Sequence, residues 1–253
     1  MIIQNNTDKQ WEDFGKKDPY YGVITYEKFH KENLSQKRKE DFFTSGEVLV
    51  QQILSTIRQK IDADFKPKRV LDFGCGVGRS VIPFGQVAEE VVGVDISDYM
   101  LAEAKKNVED KGIKNVSFVK STDDCSNIRG QYNLIHSYMV LQHIPVKRGM
   151  KILKNLLDHL EPGGVCEIQF PLTYVNRTKR VLKNSEKYVP LLGNLINLFI
   201  GRSFFAPRLQ MNEYDLNSIL ALIHKEGECY ISIDSEDKDI CCAILYFKKK
   251  GSV

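Results

Sequence analysis

Residues 70–80 read V-L-D-F-G-C-G-V-G-R-S, in which an apolar run reaches an aspartate and then three glycines at alternate positions. A β-branched apolar run, a glycine cluster and a helical pattern, in that order, predict a strand, a tight turn and a helix. Glycine suits such a turn because a side chain would block a ligand that contacts the backbone, and because glycine tolerates positive φ. The stretch therefore predicts a loop that binds a nucleotide-type ligand on a parallel sheet.

The alternation of strand and helix patterns continues along the chain. Strands are predicted at residues 69–73, 90–94, 116–119, 132–136 and 165–170, with two more at 229–233 and 240–247. Ser97 is the predicted N-cap of one intervening helix, and residues 161–164 (Glu-Pro-Gly-Gly) end another. Because repeated strand–helix units build parallel sheets, we predict a doubly wound, mostly parallel, seven-stranded Rossmann-like α/β fold.

The domain organisation follows from length and pattern. The 253 residues suffice for one elaborated domain. A capping box at Thr44–Glu47 predicts a helix start, which makes residues 1–43 an N-terminal helical extension that caps the domain at 44–253. Residues 171–209 break the alternation and are interpreted as a helical insertion after the fifth strand, forming part of the acceptor site. The insertion holds seven Lys and Arg against one Glu, in a chain of net charge +3.

The composition of the chain indicates its cellular location. The first ten residues lack the charged and continuous apolar regions of a secretory signal, and no apolar stretch reaches the roughly 20 residues of a membrane span. The six cysteines show no CxxC pair and no metal-ligand spacing, so we expect reduced, mostly packed thiols and no metal site. A cytoplasmic protein is expected.

Two carboxylates accompany the glycine loop. Asp72 precedes the first glycine by two positions, where it would repel a pyrophosphate but suit the cationic amino group of a methionine moiety. Asp95 ends the second strand, a position from which a carboxylate binds the hydroxyls of a ribose. Ile96 and Met100 offer an apolar wall for an adenine, although such residues are equally often core. The third glycine comes one residue earlier than in the G-x-G-x-x-G dinucleotide loop.

The motifs resemble those of the class I S-adenosylmethionine-dependent methyltransferases over about residues 45–170. The D-x-G-C-G-x-G loop at 72–78, the acid at 95 and the L-x-P-G-G turn at 160–164 match that family. The resemblance implies S-adenosyl-L-methionine as cofactor and S-adenosyl-L-homocysteine as product. It assigns to the cofactor Asp72, Gly74, Cys75, Gly76, Gly78, Asp95, Ile96, Met100, Thr122, Asp123, Ser137 and Tyr138. Thr122 stands in the column where the family usually has an acid near the adenine amine, and Asp123 is taken as the substitute.

The segment after strand four, residues 136–145, borders both the methionine portion and the acceptor in related enzymes. A hydroxyl acceptor would benefit from a general base, and His143 is the candidate. Gln142 and His143 are also predicted to bind the acceptor. The alternative for His143 is a structural or capping histidine, whereas His136 is interpreted as packing at the strand end. No (Asp/Asn)-Pro-Pro-Tyr tetrapeptide follows the strand and no RNA-binding module precedes the core, so a nucleic-acid acceptor is not expected.

The acceptor itself is predicted from weaker features. The cations of the insertion, including Arg177 and Arg208, suit a phosphate-bearing acceptor, and the alternative is a solvated helical face. Residues 11–25 resemble the leaders of methyltransferases that tailor bacterial surface glycans, with Tyr20 and Tyr21 in a lid. The resemblance implies O-methylation of a small molecule, either a sugar or a phosphorylated capsule or O-antigen precursor.

Two other functions are kept as alternatives. An NAD(P)-dependent oxidoreductase would share the glycine turn and Asp95, but the glycine spacing and Asp72 count against it. A non-catalytic, methyltransferase-like protein would instead use the basic, apolar insertion to dock on a membrane surface or a partner enzyme. The oligomeric state is left open.

Overall fold

The computed structural model describes residues 7–175, 211–234 and 239–251. Its first helices are α1 (Thr7–Lys17), α2 (Pro19–Val23) and α3 (Gln36–Lys60). There follow β1 (Arg69–Phe73), α4 (Val81–Val87), β2 (Glu90–Asp95), α5 (Asp98–Asp110), β3 (Val116–Lys120), β4 (Tyr132–Ser137), α6 (Val146–Asp158) and β5 (Leu160–Tyr174). The last described elements are α7 (Leu216–Ile223), β6 (Gly227–Asp234) and β7 (Ile240–Lys249). Single 3₁₀ turns lie at Glu27–Phe29 and Leu141–His143.

The strands form one seven-stranded sheet in the order β3-β2-β1-β4-β5-β7-β6. Strands β1 to β5 pair in parallel, and β7 pairs antiparallel with both β5 and β6. The predicted doubly wound, mostly parallel sheet is confirmed. The strand order reverses between β1 and β4, and at such a point the carboxyl ends of the strands open a crevice for ligands.

The two faces of the sheet carry separate cores. Val70 and Leu134 lie on the face that packs with α3 and α4, whereas Leu71 and Ile135 lie on the face that packs with α6 and α7. This alternation is the period of two expected for strands that are buried on both faces. One consequence is that Asp72 faces the same side of the sheet as Val70, toward α3 and α4.

Helix α3 begins at Gln36, so the predicted start at Thr44 is wrong. Ser35 is the cap, and its Oγ accepts a hydrogen bond from the backbone nitrogen of Arg38 at 3.3 Å. The hydroxyl of Ser45 donates to a carbonyl one turn earlier instead, at 2.6 Å. A serine inside a helix can satisfy itself in this way, so it imitates a cap in the sequence. The division of the chain at residues 43 and 44, which falls within α3, stays a prediction.

The predicted N-terminal helical extension is present. Its aromatic side chains are buried as expected, with Phe14, Tyr20 and Phe29 all in the core that also contains Phe42 of α3. Tyr20 and Phe29 each meet the Phe42 ring edge-on, with ring centroids 5.2 Å apart. Residues 7–29 therefore belong to the main core and are not a loosely attached arm.

The end of the sheet departs from the prediction at one strand. β5 begins at Leu160, ahead of the predicted residue 165, because its pairing with β4 shifts register between Tyr132 and Leu134 and takes in the glycine turn. Residues 176–210, with Arg177 and Arg208, lie outside the described residues. No helix in the described part is long and apolar enough to cross a membrane. All six cysteines are unbridged.

Candidate active site

A cavity opens at the carboxyl ends of β1, β2 and β4. It contains about 940 Å³ of space not filled by atoms, counting its open mouth. The glycine loop after β1 and the segment after β4 line one side, and α1 and α2 line the other. Its polar lining residues include Asp72, Arg79, Asp95, Ser121, His136, His143 and Arg148. A concave site with a few converging polar groups is the usual form of a small-molecule site.

The backbone of the glycine loop is fixed from both sides. The nitrogens of Gly74 and Cys75 donate to the carbonyl of Val94 in β2, at 2.7 and 3.0 Å. Gly74 has φ +81, and a Cβ there would overlap the side chain of Val140. Gly76 has φ +52, and a Cβ there would lie 2.5 Å from Val23 of α2. Glycine is therefore required at both positions for conformation and for space.

Asp72 is a buried carboxylate that lines the cavity. The residue is 3% exposed, and its Oδ2 has no hydrogen-bond partner. Burial raises the pKa of Asp72 to about 6, while the positive charges of His136 and Arg79 act in the opposite direction. A buried, unpartnered carboxylate is unfavourable by itself, so the site favours a cationic group as its occupant.

Asp95 is held by backbone donors. Its Oδ2 accepts from the nitrogen of Gly76 and its Oδ1 from that of Ser97, both at 2.9 Å. Burial raises the pKa of Asp95, and these backbone hydrogen bonds oppose that rise. Each carboxylate oxygen keeps a second lone pair, so the group can still accept from two hydroxyls. Ile96 and Met100 line the cavity beside it, the position predicted for an adenine wall.

His136 is both packed and part of the cavity lining. It is 1% exposed, and its Nδ1 forms a short hydrogen bond with Oε2 of Glu167, which is fully buried. Burial lowers the pKa of His136, but the charge and hydrogen bond of Glu167 outweigh it and raise the pKa overall. Asp72, His136 and Glu167 occupy matching positions on β1, β4 and β5, so they form a polar row across the sheet.

His143 also lines the cavity. Its ring centroid is 5.0 Å from that of Trp11 in α1, and its Nε2 is 3.1 Å from the side-chain nitrogen of Gln142. The backbone carbonyl of Gln142 accepts two hydrogen bonds from Asn212, at 2.7 and 3.2 Å. His143 is therefore a buried residue on a fixed turn, facing a cavity that α1 helps to enclose.

Arg148 links α1 to α6 and to the segment after β3. Arg148 of α6 donates from Nη1 and Nη2 to the two oxygens of Asp8, at 2.6 and 3.0 Å. Its Nε donates to Asp123, in the segment after β3, at 2.7 Å. Such a fork-shaped contact fixes geometry as well as charge. Asp8 and Trp11 thereby become cavity walls.

Known proteins share this architecture. A family described as methyltransferase domain matches residues 47–211, more than half of the chain. The chain belongs to the methyltransferase domain family. Among solved structures, magnesium protoporphyrin IX methyltransferase from Synechocystis PCC 6803 with bound S-adenosylmethionine superposes with a TM-score of 0.61 and 14% identity, covering 98% of this chain and 100% of that one. At that identity the likeness shows the fold.

Two curated relatives of this methyltransferase domain have named substrates. Trans-aconitate 2-methyltransferase of Deinococcus radiodurans is 31% identical over 116 residues, or 45% of this chain and 42% of the relative. The tRNA 5-carboxymethoxyuridine methyltransferase of Escherichia coli is 32% identical over 132 residues, or 50% of this chain and 49% of the relative. The chain thus matches a little under half the length of these relatives.

S-adenosylmethionine is a cofactor that the pocket of this methyltransferase domain fits. The deciding observation is the orphaned Oδ2 of Asp72 inside the cavity, which matches the ammonium group of that cofactor. Of the predicted cofactor residues, the cavity lining includes Asp72, Gly74, Cys75, Gly76, Asp95, Ile96, Met100 and Tyr138. The structure therefore brings most of the cofactor set together in one place.

Other predicted residues of the methyltransferase domain do not line the cavity. Gly78 lies against Ala104 of α5, and the Ser137 hydroxyl donates to the carbonyl of Phe73 at 3.0 Å. Thr122 is replaced in the lining by Ser121, and Asp123 is paired with Arg148 as described.

The two tyrosines proposed for the acceptor are also placed elsewhere. The hydroxyl of Tyr20 donates to Glu103 at 2.7 Å and lies 3.0 Å from the side-chain oxygen of Asn107, and both partners are in α5. Tyr21 stacks on His30 with a centroid separation of 3.6 Å. These contacts make Tyr20 a core residue, because its polar end is already satisfied.

Sequence reasoning missed several cavity residues. Arg79 directly follows the glycine loop and lines the cavity, as do Asp8 and Trp11 of α1 and Arg148 of α6. Arg79 carried a local signal, since it stands next to the predicted loop. The other three come from segments far apart in the sequence, and only the tertiary fold brings them together.

Proposed function

We propose that the chain transfers the methyl group of S-adenosylmethionine to an oxygen of a small-molecule acceptor. The bound cofactor supplies a sulfonium methyl that a nucleophile displaces in line, so the protein's task is mainly to position and enclose. The observation that carries the proposal is the buried Asp72 carboxylate oxygen that lacks a partner at the glycine loop. In this proposal Asp72 holds the ammonium, Asp95 the ribose, and Ile96 and Met100 the adenine.

The acceptor half of the cavity is proposed to lie between α1 and the segment after β4. Trp11, Val140, Ile144 and Ile152 give it apolar walls, and His143 gives it a titratable group. The finer prediction of a sugar or phosphorylated capsule precursor rests on the leader resemblance and on the insertion, and it stays a prediction. Trans-aconitate and carboxymethoxyuridine, named for the two relatives, both bear carboxylates, which favours including carboxylic acids among the acceptors tested.

Calorimetry of the purified chain tests the cofactor half of the proposal. S-adenosylmethionine and S-adenosylhomocysteine are expected to bind, and NAD(H) is expected not to. Release of S-adenosylhomocysteine is then measured with sugars, nucleotide sugars, di- and tricarboxylic acids, and RNA transcripts. Tight binding of NAD(H) without binding of the methyl donor would contradict the proposal, and turnover confined to RNA would replace the small-molecule acceptor. If no tested acceptor caused release of S-adenosylhomocysteine, the non-catalytic docking alternative would be favoured, and co-sedimentation with anionic vesicles is its direct measurement.

His143→Ala tests the proposed general base. With a hydroxyl acceptor, turnover at pH 7 is expected to fall about 100-fold or more, because a positioned base contributes roughly 10²–10⁴ to such a step. The affinity for S-adenosylhomocysteine is expected to stay within about twofold, since the proposal assigns His143, in ring contact with Trp11, to the acceptor side. His224→Ala, at an exposed histidine, is the control. Full turnover by the His143 variant would contradict the role of His143 as general base, and it would indicate an acceptor oxygen that is already ionised.

A further inference from the structure

Arg79 is a buried cation that lines the cavity without a carboxylate partner. The residue is 9% exposed. Its Nη1 donates to the hydroxyl of Ser45 at 3.5 Å, the outer limit of a hydrogen bond, and its guanidinium lies 5.9 Å from the ring centroid of Tyr138. Among the described residues no carboxylate forms an ion pair with it. A guanidinium has five N–H donors, so most of its capacity is unused.

The packing around Arg79 keeps it at this place. A Cβ on Gly46 of α3 would overlap the Arg79 carbonyl oxygen and lie 2.9 Å from its carbonyl carbon. The backbone of Arg79 is therefore pressed against α3, and its side chain extends between Ser45 and Tyr138. An isolated buried charge costs several kcal/mol, and a well-placed anion offsets that cost.

Asp72 and Arg79 line the same cavity and attract each other, but they form no ion pair. One buried negative group and one buried positive group thus lie apart, each without a charged partner in contact. An α-amino acid carries its ammonium and its carboxylate on one carbon, so it presents both complementary charges within a short distance. His136 lines the same polar region, and the charge and hydrogen bond of Glu167 raise its pKa.

We propose that Arg79 binds the carboxylate of the amino-acid end of the methyl donor while Asp72 binds its ammonium. This inference rests on the proposed function, and it adds a cofactor-binding residue that selects donors that have a carboxylate. Arg79 is suited to this role because its planar fork matches a carboxylate bidentately, and such charge-assisted hydrogen bonds are stronger than neutral ones.

Three thioether ligands separate the contributions of the two charges. S-adenosylhomocysteine has the ammonium and the carboxylate, decarboxylated S-adenosylhomocysteine has the ammonium alone, and 5′-methylthioadenosine has neither. Arg79→Gln is expected to lower the affinity for S-adenosylhomocysteine about 10- to 100-fold in calorimetry, because the lost contact is a charge-assisted hydrogen bond. The same variant is expected to bind the other two ligands within about twofold of the wild type. Arg79→Lys is expected to recover part of the loss, since lysine keeps the charge without the fork.

The same titrations provide the control variant and the result that would contradict the role of Arg79. Arg129→Gln, at an exposed arginine, is expected to leave the affinities for all three ligands unchanged. If the wild type bound none of the ligands, the proposed function would fail first. If the wild type bound S-adenosylhomocysteine and Arg79→Gln left that affinity intact, or weakened all three ligands equally, the assignment of Arg79 would be overturned. If Arg79→Gln kept its affinity for S-adenosylhomocysteine but had a higher KM for the acceptor, Arg79 would bind an anionic group of the acceptor instead.

Discussion

Asp72→Asn is expected to weaken the binding of S-adenosylhomocysteine by about 30-fold to several thousand-fold, which is the largest binding loss among the changes considered. Removing one partner of a buried charge pair costs roughly 2–5 kcal/mol, because the other charge is left without compensation. The neutral amide keeps the shape of the side chain but offers no charge to an ammonium. The affinity for 5′-methylthioadenosine, which lacks that ammonium, is expected to change much less. Calorimetry with the two ligands measures both effects.

The same substitution is expected to stabilise the ligand-free protein at pH 7.5. The pKa of Asp72 is raised from an ordinary value of 3.8 to about 6 by burial, so the folded state binds a proton that the unfolded state has already released. The free energy of unfolding therefore falls as the pH rises from about 4 to about 6, and the whole destabilisation is present above that window. It amounts to roughly 1–3 kcal/mol, which the asparagine removes.

The pH dependence and a control complete this prediction. Donor affinity of the wild type is expected to fall below about pH 6, because the neutral acid no longer attracts an ammonium. Asp64→Asn, at an exposed aspartate, is expected to change neither stability nor affinity. A wild-type affinity that stayed constant between pH 5 and pH 8, together with an unaltered Asp72→Asn variant, would show that this carboxylate does not contact the donor.

Gly46→Ala is expected to lower the free energy of unfolding by about 1–3 kcal/mol, the range found for overpacked positions. Alanine ordinarily stabilises the middle of a helix by about 1 kcal/mol relative to glycine. Here the new Cβ would overlap the carbonyl oxygen of Arg79, and backbone cannot move aside as a flexible side chain can. Because Arg79 follows the glycine loop directly, donor affinity is expected to fall with the stability.

Urea denaturation, with calorimetry of S-adenosylhomocysteine, measures both parts of the Gly46 prediction. Val48→Ala provides the control on the same helix, since Val48 is 48% exposed and its change creates no overlap. A variant as stable as the wild type with unchanged affinity would mean that α3 does not press on the loop in solution.

Much of the fold could be predicted from local patterns. The alternating strands are short-range features of the sequence, and the seven-stranded sheet confirms them. The start of α3 could not be read, because Ser45 satisfies its hydroxyl inside the helix while Gly46 is required by packing against a distant loop. Both residues suit a helix terminus in the sequence, and only tertiary contacts place them in its middle.

The candidate site divides in the same way. Asp72, Gly74 and Asp95 lie where their motif predicted, because one strand and one turn determine their positions. Of the aromatic residues in α1 and α2, Trp11 lines the cavity and Tyr20 does not, because the surface beneath these helices determines which side faces the core. His136 was interpreted as packing and also contributes charge, because its partner Glu167 lies on a different strand.

The hydrogen bonds from Arg148 to Asp8 and Asp123 bear on where the folded domain begins. The match to the methyltransferase domain family begins at residue 47, near the middle of α3. A fragment that begins at residue 47 would lose the Ser35 cap of α3, the cavity wall formed by Trp11, and Asp8, which binds Arg148. It would also expose the core surface against which Phe42 packs. The sheet carries the glycine loop and Asp72, whereas Trp11 of α1 and Val23 of α2, which precede the family match, form the facing wall of the cavity.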